Sequence, residues 1–389
     1  MKRKIDHFSW ILPAVVLLSR MVCSGPAYFA DGPAHIRAIL NHTYFIQPPF
    51  YWLLNRTAGL FPNPESGLLY LNWIFSAAGA MVFYWAAKEL VSQRLARYGA
   101  AVYATVFFVW FSGGVHSSYA SQLLFPPLCF FLLLKYRSTG RLPFLLGAAG
   151  AFSVGAGLRP SDGAFLLPFF VVFVWRIAPW RHIAYSFLLA LALCLAWLVP
   201  TYGAYHQFSA RSADGAIHRS SGEYFKSITT TVSPLHRGVG KESLANIARY
   251  CVPLLVAFWP LLGAVLVSAR RWRDWTVRLL LLWIIPGSLF FVLIYIADAT
   301  YLNYLSSAVI LLALLALEGK RLATPLLAVC LASNSILFLL GAPIPSRSFA
   351  VDVFDAYCIK YTRYGIKHQW WPNLSDIVAR GVAQPTPGR

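Results

Sequence analysis

The chain has 389 residues, of which 58% are hydrophobic and 12% charged, with a mean hydropathy of +0.59. A soluble domain carries about 25% charged residues, so a water-soluble globular protein is excluded. The formal charge of +19 would point to nucleic acid in a soluble protein; here it falls between apolar runs and reads as a topology signal, so no nucleic-acid partner is expected.

The first segment has a basic start, Lys2-Arg3-Lys4, followed by an apolar run. With membrane spans following it, a retained signal-anchor is expected rather than a cleaved leader. Apolar runs of roughly 17–25 residues then recur along the chain, each bounded by charge, Gly or Pro. They predict an all-α polytopic membrane helix bundle, because lipid leaves backbone groups no partner but their own helix. Eleven spans are expected, over approximately 8–27, 66–87, 98–113, 119–134, 142–158, 163–178, 183–202, 250–269, 277–297, 300–317 and 322–341.

Charge alternates along the connections. Lys88, Arg94 and Arg97, then Lys135, Arg137 and Arg141, then Arg176 and Arg181, then Arg270, Arg271, Arg273 and Arg278, then Lys320 and Arg321 join the basic start on one side. The positive-inside rule makes that side cytoplasmic. The outer side then receives a loop over 28–65, a loop over 203–249 and a short tail over 342–389, outside the transmembrane domain 1–341. Ten of the fourteen acidic residues fall on that outer side. Five of the six cysteines lie in or beside apolar spans and there is no CxxC pair, so neither a disulfide framework nor a zinc site is suggested.

The loop over 28–65 carries the densest polar chemistry. Asp31 precedes Gly32-Pro33, a helix-start pattern, and Ile36, Ile39 and Leu40 then share one face. A second piece opens at Pro48-Pro49 and aligns Phe50, Leu53, Leu54, Ala58 and Phe61. Two short amphipathic helices at the membrane surface fit this spacing. Asp31 can be a simple N-cap, with His35 and Arg37 merely solvated. The three together also supply the group types for general-base chemistry on a hydroxyl beside an anionic leaving group.

The order of these elements resembles the protein mannosyltransferase and aminoarabinose-transferase group of GT-C membrane glycosyltransferases. The matching residues are Asp31 after the first span, the run Gln47-Pro48-Pro49-Phe50-Tyr51-Trp52-Leu53-Leu54, the ending Gly59-Leu60-Phe61, and Gly157-Leu158-Arg159-Pro160 between two later spans. The resemblance covers about the first half of the chain. It implies transfer of a sugar from a polyprenyl-phosphate donor to a glycan, lipid or protein acceptor on the outer face, with Asp31 as base. A single displacement assisted by one base implies inversion at the anomeric carbon. The resemblance also implies an integral location, in the bacterial inner membrane with the site facing the periplasm. Two departures stand out: Gly32 replaces the second acid many members carry, and the tail is shorter than their outer domain.

Arg159 is the expected donor-phosphate ligand, since guanidinium binds phosphate bidentately; pairing with Asp162 or anchoring to lipid phosphates is the alternative. The resemblance implies that the second outer loop covers the site, which makes Arg237 and Lys241 further donor-phosphate candidates, with a solvated basic loop drawn to anionic lipid as the alternative; His35, Arg37 and Tyr51 are substrate-binding candidates. No metal site is assigned; a divalent cation at Asp31 is left open, although one carboxylate is a poor site for a hard cation. Arg20, deep in the first span, reads as snorkelling outward, with donor phosphate as the alternative partner. His116, Ser117, Ser118 and Tyr119 read as a satisfied tight loop, and Tyr301 and Tyr304 as an aromatic belt beside Asp298. A lipid flippase and an inactive GT-C-like scaffold are the competing functions; the chain shows no internal repeat of the kind transporters use.

Overall fold

A computed structural model describes residues 6–22, 53, 56–57, 60–61, 64–114, 118–211, 240–294 and 299–341. Asp31, His35, Arg37, Tyr51 and Arg237 lie outside the described residues, as does the tail over 342–389. Among the described residues the chain is helical, and the described helices form a polytopic membrane bundle.

Among the described residues each of the eleven apolar stretches contains helix. In chain order these are α1 (Phe8–Val22), α2 (Pro64–Lys88), α3 (Gln93–Thr105), α4 (Phe107–Gly114), α5 (Ser121–Thr139), α6 (Leu142–Leu158) and α7 (Pro160–Ile177). They continue as α8 (Trp180–Arg211), α9 (Lys241–Phe258), α10 (Leu262–Ala269), α11 (Trp275–Leu293), α12 (Asn303–Leu317) and α13 (Ala323–Gly341). By length and composition five segments can cross a membrane: Ser66–Lys88, Pro160–Ile177, Trp180–Pro200, Asn246–Ala269 and Trp275–Leu293. A sixth forms if α3 and α4, bent by 59° at their junction, count as one. Four more apolar helices are shorter than this test requires, so the expected count of eleven crossings is not established.

Two boundaries differ most from the sequence reading. Helix α8 runs to Arg211, past the expected end at 202, and α9 begins at Lys241 rather than 250. Lys241 is therefore the first residue of a helix. Both shifts have one cause: span estimates stop where hydropathy falls, whereas a helix continues into polar sequence until its backbone bonding is interrupted.

Helices α2, α5 and α6 pack in succession, α1 leans on α2, and α8 covers the far side of α6. Phe187, Leu191, Leu195 and Leu198 on α8 stay exposed, as they should on a helix solvated by lipid. Gly79 lets α2 approach α5: a Cβ there would collide with the Leu123 carbonyl. That same carbonyl accepts a bond from the Tyr103 hydroxyl at 2.8 Å. The core centres on fully buried Trp283, whose ring lies 5.7 Å from Phe130 and 5.8 Å from Phe169 and whose Nε1–H donates to the Tyr304 carbonyl at 2.8 Å.

Two helix breaks are bridged by one side chain. No Pro or Gly marks the α3–α4 junction at Val106, whereas Pro260 explains the turn between α9 and α10 because it lacks an N–H. In both places backbone groups leave the helical ladder at membrane depth, where they need internal partners. Buried Asn334 on α13 accepts from Phe107 N–H at 3.2 Å and donates to the Ala257 carbonyl at 2.8 Å. On the other side of the first break the Ala104 carbonyl accepts from Arg20 at 2.8 Å. Asn334→Leu is expected to cost about 1–3 kcal/mol for each buried group deprived of its bond. A lowered unfolding midpoint in detergent, with Asn334→Gln recovering only part, is the measurable result.

Arg20 does not snorkel. It is 1% exposed, and its guanidinium donates to Ser76 Oγ at 3.0 Å and Ser19 Oγ at 3.2 Å besides the Ala104 carbonyl, with Trp110 beneath it at 5.2 Å. Gly113 makes the room, since a Cβ there would sit 2.8 Å from Arg20 Nε and 2.7 Å from Ser76 Oγ. The guanidinium has turned inward because the broken helix offers it an acceptor.

At the basic end, Asp6 joins Lys88 Nζ at 2.6 Å, the Tyr84 hydroxyl at 2.6 Å and Arg97 at 3.3 Å, tying the start of α1 to α2 and α3. Burial pushes the Asp6 carboxyl up, but the hydrogen bonds from Lys88 and Tyr84, the Lys88 charge and the Arg97 bond outweigh it and hold the group well below the usual carboxylate range. A depressed folded-state value contributes stability that is complete above the unfolded value of about 3.9 and is lost as pH falls below it. The unfolding midpoint of wild type should therefore fall more steeply than that of Asp6→Asn between about pH 4 and pH 2. Parallel curves would show that the cluster contributes nothing.

Candidate functional site

The Gly157-Leu158-Arg159-Pro160 element shapes one end of the bundle. A residue before Pro is driven out of the helical region, and Arg159 adopts φ −144° and ψ 100° between α6 and α7. Pro160 then starts α7 at a position where its missing N–H costs nothing. The break fixes where the Arg159 side chain leaves the backbone, and it places Asp162 in the first turn of α7, where a carboxylate is favoured by the helix dipole.

Arg159 is held from several sides although it is only 8% exposed. Its guanidinium carbon lies 4.0 Å from the ring centre of Tyr119, in the turn before α5, and 5.8 Å from that of Tyr301, in the turn before α12. The two tyrosine rings are 5.4 Å apart, and Tyr301 stacks on Phe291 of α11 at 4.7 Å. Asp162 Oδ1 is 3.8 Å from Arg159 Nε, an ion-pair contact too long for a hydrogen bond. Asp162 is itself fixed by Gln122 Nε2, which donates to Oδ1 at 2.7 Å. Elements far apart in the sequence thus hold one guanidinium against aromatic faces, an arrangement that stabilises a cation and fixes the plane of its donor fork.

Further polar side chains surround this end. Asn303 donates to Ser112 Oγ at 2.7 Å, Asn246 to the Phe291 carbonyl at 2.9 Å, and the Tyr250 hydroxyl to Ser288 Oγ at 2.6 Å. Asn246 and Tyr250 sit on α9, the helix that Lys241 begins, so this stretch of α9 packs beside Phe291 and Ser288 of α11. Lys241 is placed by its backbone, and its side chain lies outside the described residues. Among the described residues no three His, Cys, Asp or Glu side chains converge as metal ligands would.

The pairing of Arg159 with Asp162, offered by sequence spacing as the alternative to phosphate binding, is present. Tyr301 and Tyr304 depart from the aromatic-belt expectation: Tyr304 is fully buried and Tyr301 packs inward against Arg159 and Phe291. Sequence reasoning also missed Gln122 and Tyr119 as supports of the ion pair. Their partners lie in other helices and no local motif marks them.

No family model matches the chain, and no curated protein is significantly similar to it. Solved structures do share its fold. ArnT from Cupriavidus metallidurans bound to undecaprenyl phosphate superposes with a TM-score of 0.61 at 15% identity, covering 86% of this chain and 64% of that one. The same protein in the apo state gives 0.57 at 14% identity, over 96% and 71%. An Archaeoglobus fulgidus oligosaccharyltransferase tethered to an acceptor peptide gives 0.52 at 14% identity, over 90% and 59%. The chain spans less than two thirds of the ArnT chain in its lipid-bound form. At these identities the likeness is one of fold: the chain has the helical membrane fold of these structures.

Proposed function

We propose that this chain is a membrane glycosyltransferase that moves a sugar from a polyprenyl-phosphate donor to an outer-face acceptor with inversion. The observation that carries the reading is the fold shared with a chain crystallised with undecaprenyl phosphate. The Arg159 cluster supports it, because a guanidinium oriented by aromatic faces at one end of a membrane bundle suits a phosphate whose lipid lies along the helices.

In this reading Asp31 accepts the proton of the acceptor hydroxyl. The hydroxyl oxygen attacks the anomeric carbon, and the bond to the phosphate oxygen breaks on the opposite face. The lipid phosphate leaves with the electron pair, its charge compensated by Arg159, with Arg237 and Lys241 as further contributors from the second loop. His35, Arg37 and Tyr51 line the acceptor and sugar side. The site faces the periplasm of a bacterial inner membrane.

The test is incubation of the purified chain in liposomes with radiolabelled undecaprenyl-phosphate sugars and a panel of acceptors. Transfer with an inverted anomer supports the proposal, and a retained anomer contradicts the single displacement. Lipid-linked sugar that crosses the bilayer without transfer points to a flippase. Neither process across the panel points to an inactive scaffold, consistent with Gly32 replacing the second acid.

A further inference from the structure

The opposite, basic end of the bundle carries a feature that topology alone does not require. Arg137 at the end of α5, Arg176 in the last turn of α7, and Trp275 and Arg278 in the first turn of α11 line, with Ile177, an open cleft of about 320 Å³. Basic residues scattered along connecting segments satisfy the positive-inside rule. Here three helices far apart in sequence bring three guanidinium groups to one cavity. Among the described residues none of the three makes an ion pair, whereas nearby Lys135 pairs with Glu89 at 2.6 Å and Arg271 with Asp274 at 3.2 Å. Asp274 is the nearest acid in sequence, and its other oxygen accepts from Thr276 N–H at 2.9 Å, which caps α11.

We infer that this cleft binds the phosphate headgroup of an anionic membrane lipid. Like charges converge on one cavity at a cost that a bound anion offsets, and guanidinium forks match phosphate oxygens in pairs. A soluble phosphate would satisfy the same chemistry, but the surface leading to the cleft favours a lipid. On α7, Leu167, Val171 and Trp175 are 48%, 49% and 69% exposed and follow one another at four-residue spacing up to Arg176. That stripe gives an acyl chain an apolar track ending at the arginines, and Trp275 supplies the aromatic surface typical of the headgroup level. The charge rule puts this rim on the cytoplasmic leaflet, where anionic lipid is presented.

The experiment is native mass spectrometry of the delipidated full chain titrated with phosphatidylglycerol, cardiolipin or phosphatidylcholine. Wild type should bind the two anionic lipids in preference to phosphatidylcholine. R137Q/R176Q/R278Q should weaken that binding by roughly a hundredfold, about what three juxtamembrane basic residues supply, while R271Q/R273Q leaves it unchanged. Equal binding by wild type and the triple variant overturns the inference, as does release of the lipid by millimolar pyrophosphate, which would assign the cleft to a soluble anion. Should the glutamine variant unfold, R137K/R176K/R278K, which keeps charge and aliphatic stems, must bind within about tenfold of wild type; a larger loss overturns the inference too.

Discussion

Asp31→Asn is expected to lower sugar transfer by about 10²–10⁴-fold, the range that a positioned general base contributes, while donor binding stays at the wild-type level. Asparagine keeps the size of the side chain and its capacity to cap a helix N-terminus, so a purely structural Asp31 would tolerate the change. What asparagine cannot do is accept the proton of the acceptor hydroxyl. The measurement is consumption of lipid-linked sugar by membranes containing wild type or variant at matched expression, with donor binding followed separately. Loss of turnover with retained binding assigns the base. Unchanged turnover removes Asp31 from the chemistry and leaves the fold-based reading without its central residue.

Much of the architecture was legible because membrane helices write themselves in long apolar runs, and the alternation of basic connections along the chain is equally local. What escaped the sequence depends on partners from elsewhere in the chain. The bend at Val106 carries no Pro or Gly; it is sustained by Arg20 from α1 and Asn334 from α13, which engage the Ala104 carbonyl and the Phe107 N–H. For the same reason Arg20 was misread as snorkelling, since its acceptor belongs to a helix break that no motif announces. Arg159 was legible from the Pro that follows it, but its setting was not: Tyr119 and Tyr301 come from turns before α5 and α12, and each by itself looks like an ordinary interfacial tyrosine. Asp31, His35, Arg37, Tyr51 and Arg237 lie outside the described residues and rest on the motif order in the first half of the chain and on charge in the second loop.

Arg159 is expected to matter twice, and the two roles can be separated. Arg159→Gln removes the counterion of buried Asp162, whose side chain is only 5% exposed, and breaking a buried pair from one side costs up to about 3–5 kcal/mol. The same change removes the proposed phosphate ligand, and loss of a charge-assisted bidentate contact should weaken donor binding by roughly ten- to a hundredfold. A single variant that both melts early and binds poorly would therefore decide nothing. The double variant Arg159→Gln with Asp162→Asn leaves two neutral amides where the ions were, and replacing both members of a buried pair is far less costly than removing one. It should recover most of the unfolding midpoint in detergent while donor affinity stays as low as in the single variant. Asp162→Asn alone should keep donor binding near wild type, because the Tyr119 and Tyr301 rings still hold the guanidinium. If the double variant regains donor affinity along with stability, Arg159 serves only to neutralise Asp162, and the phosphate must be bound by residues of the outer loops.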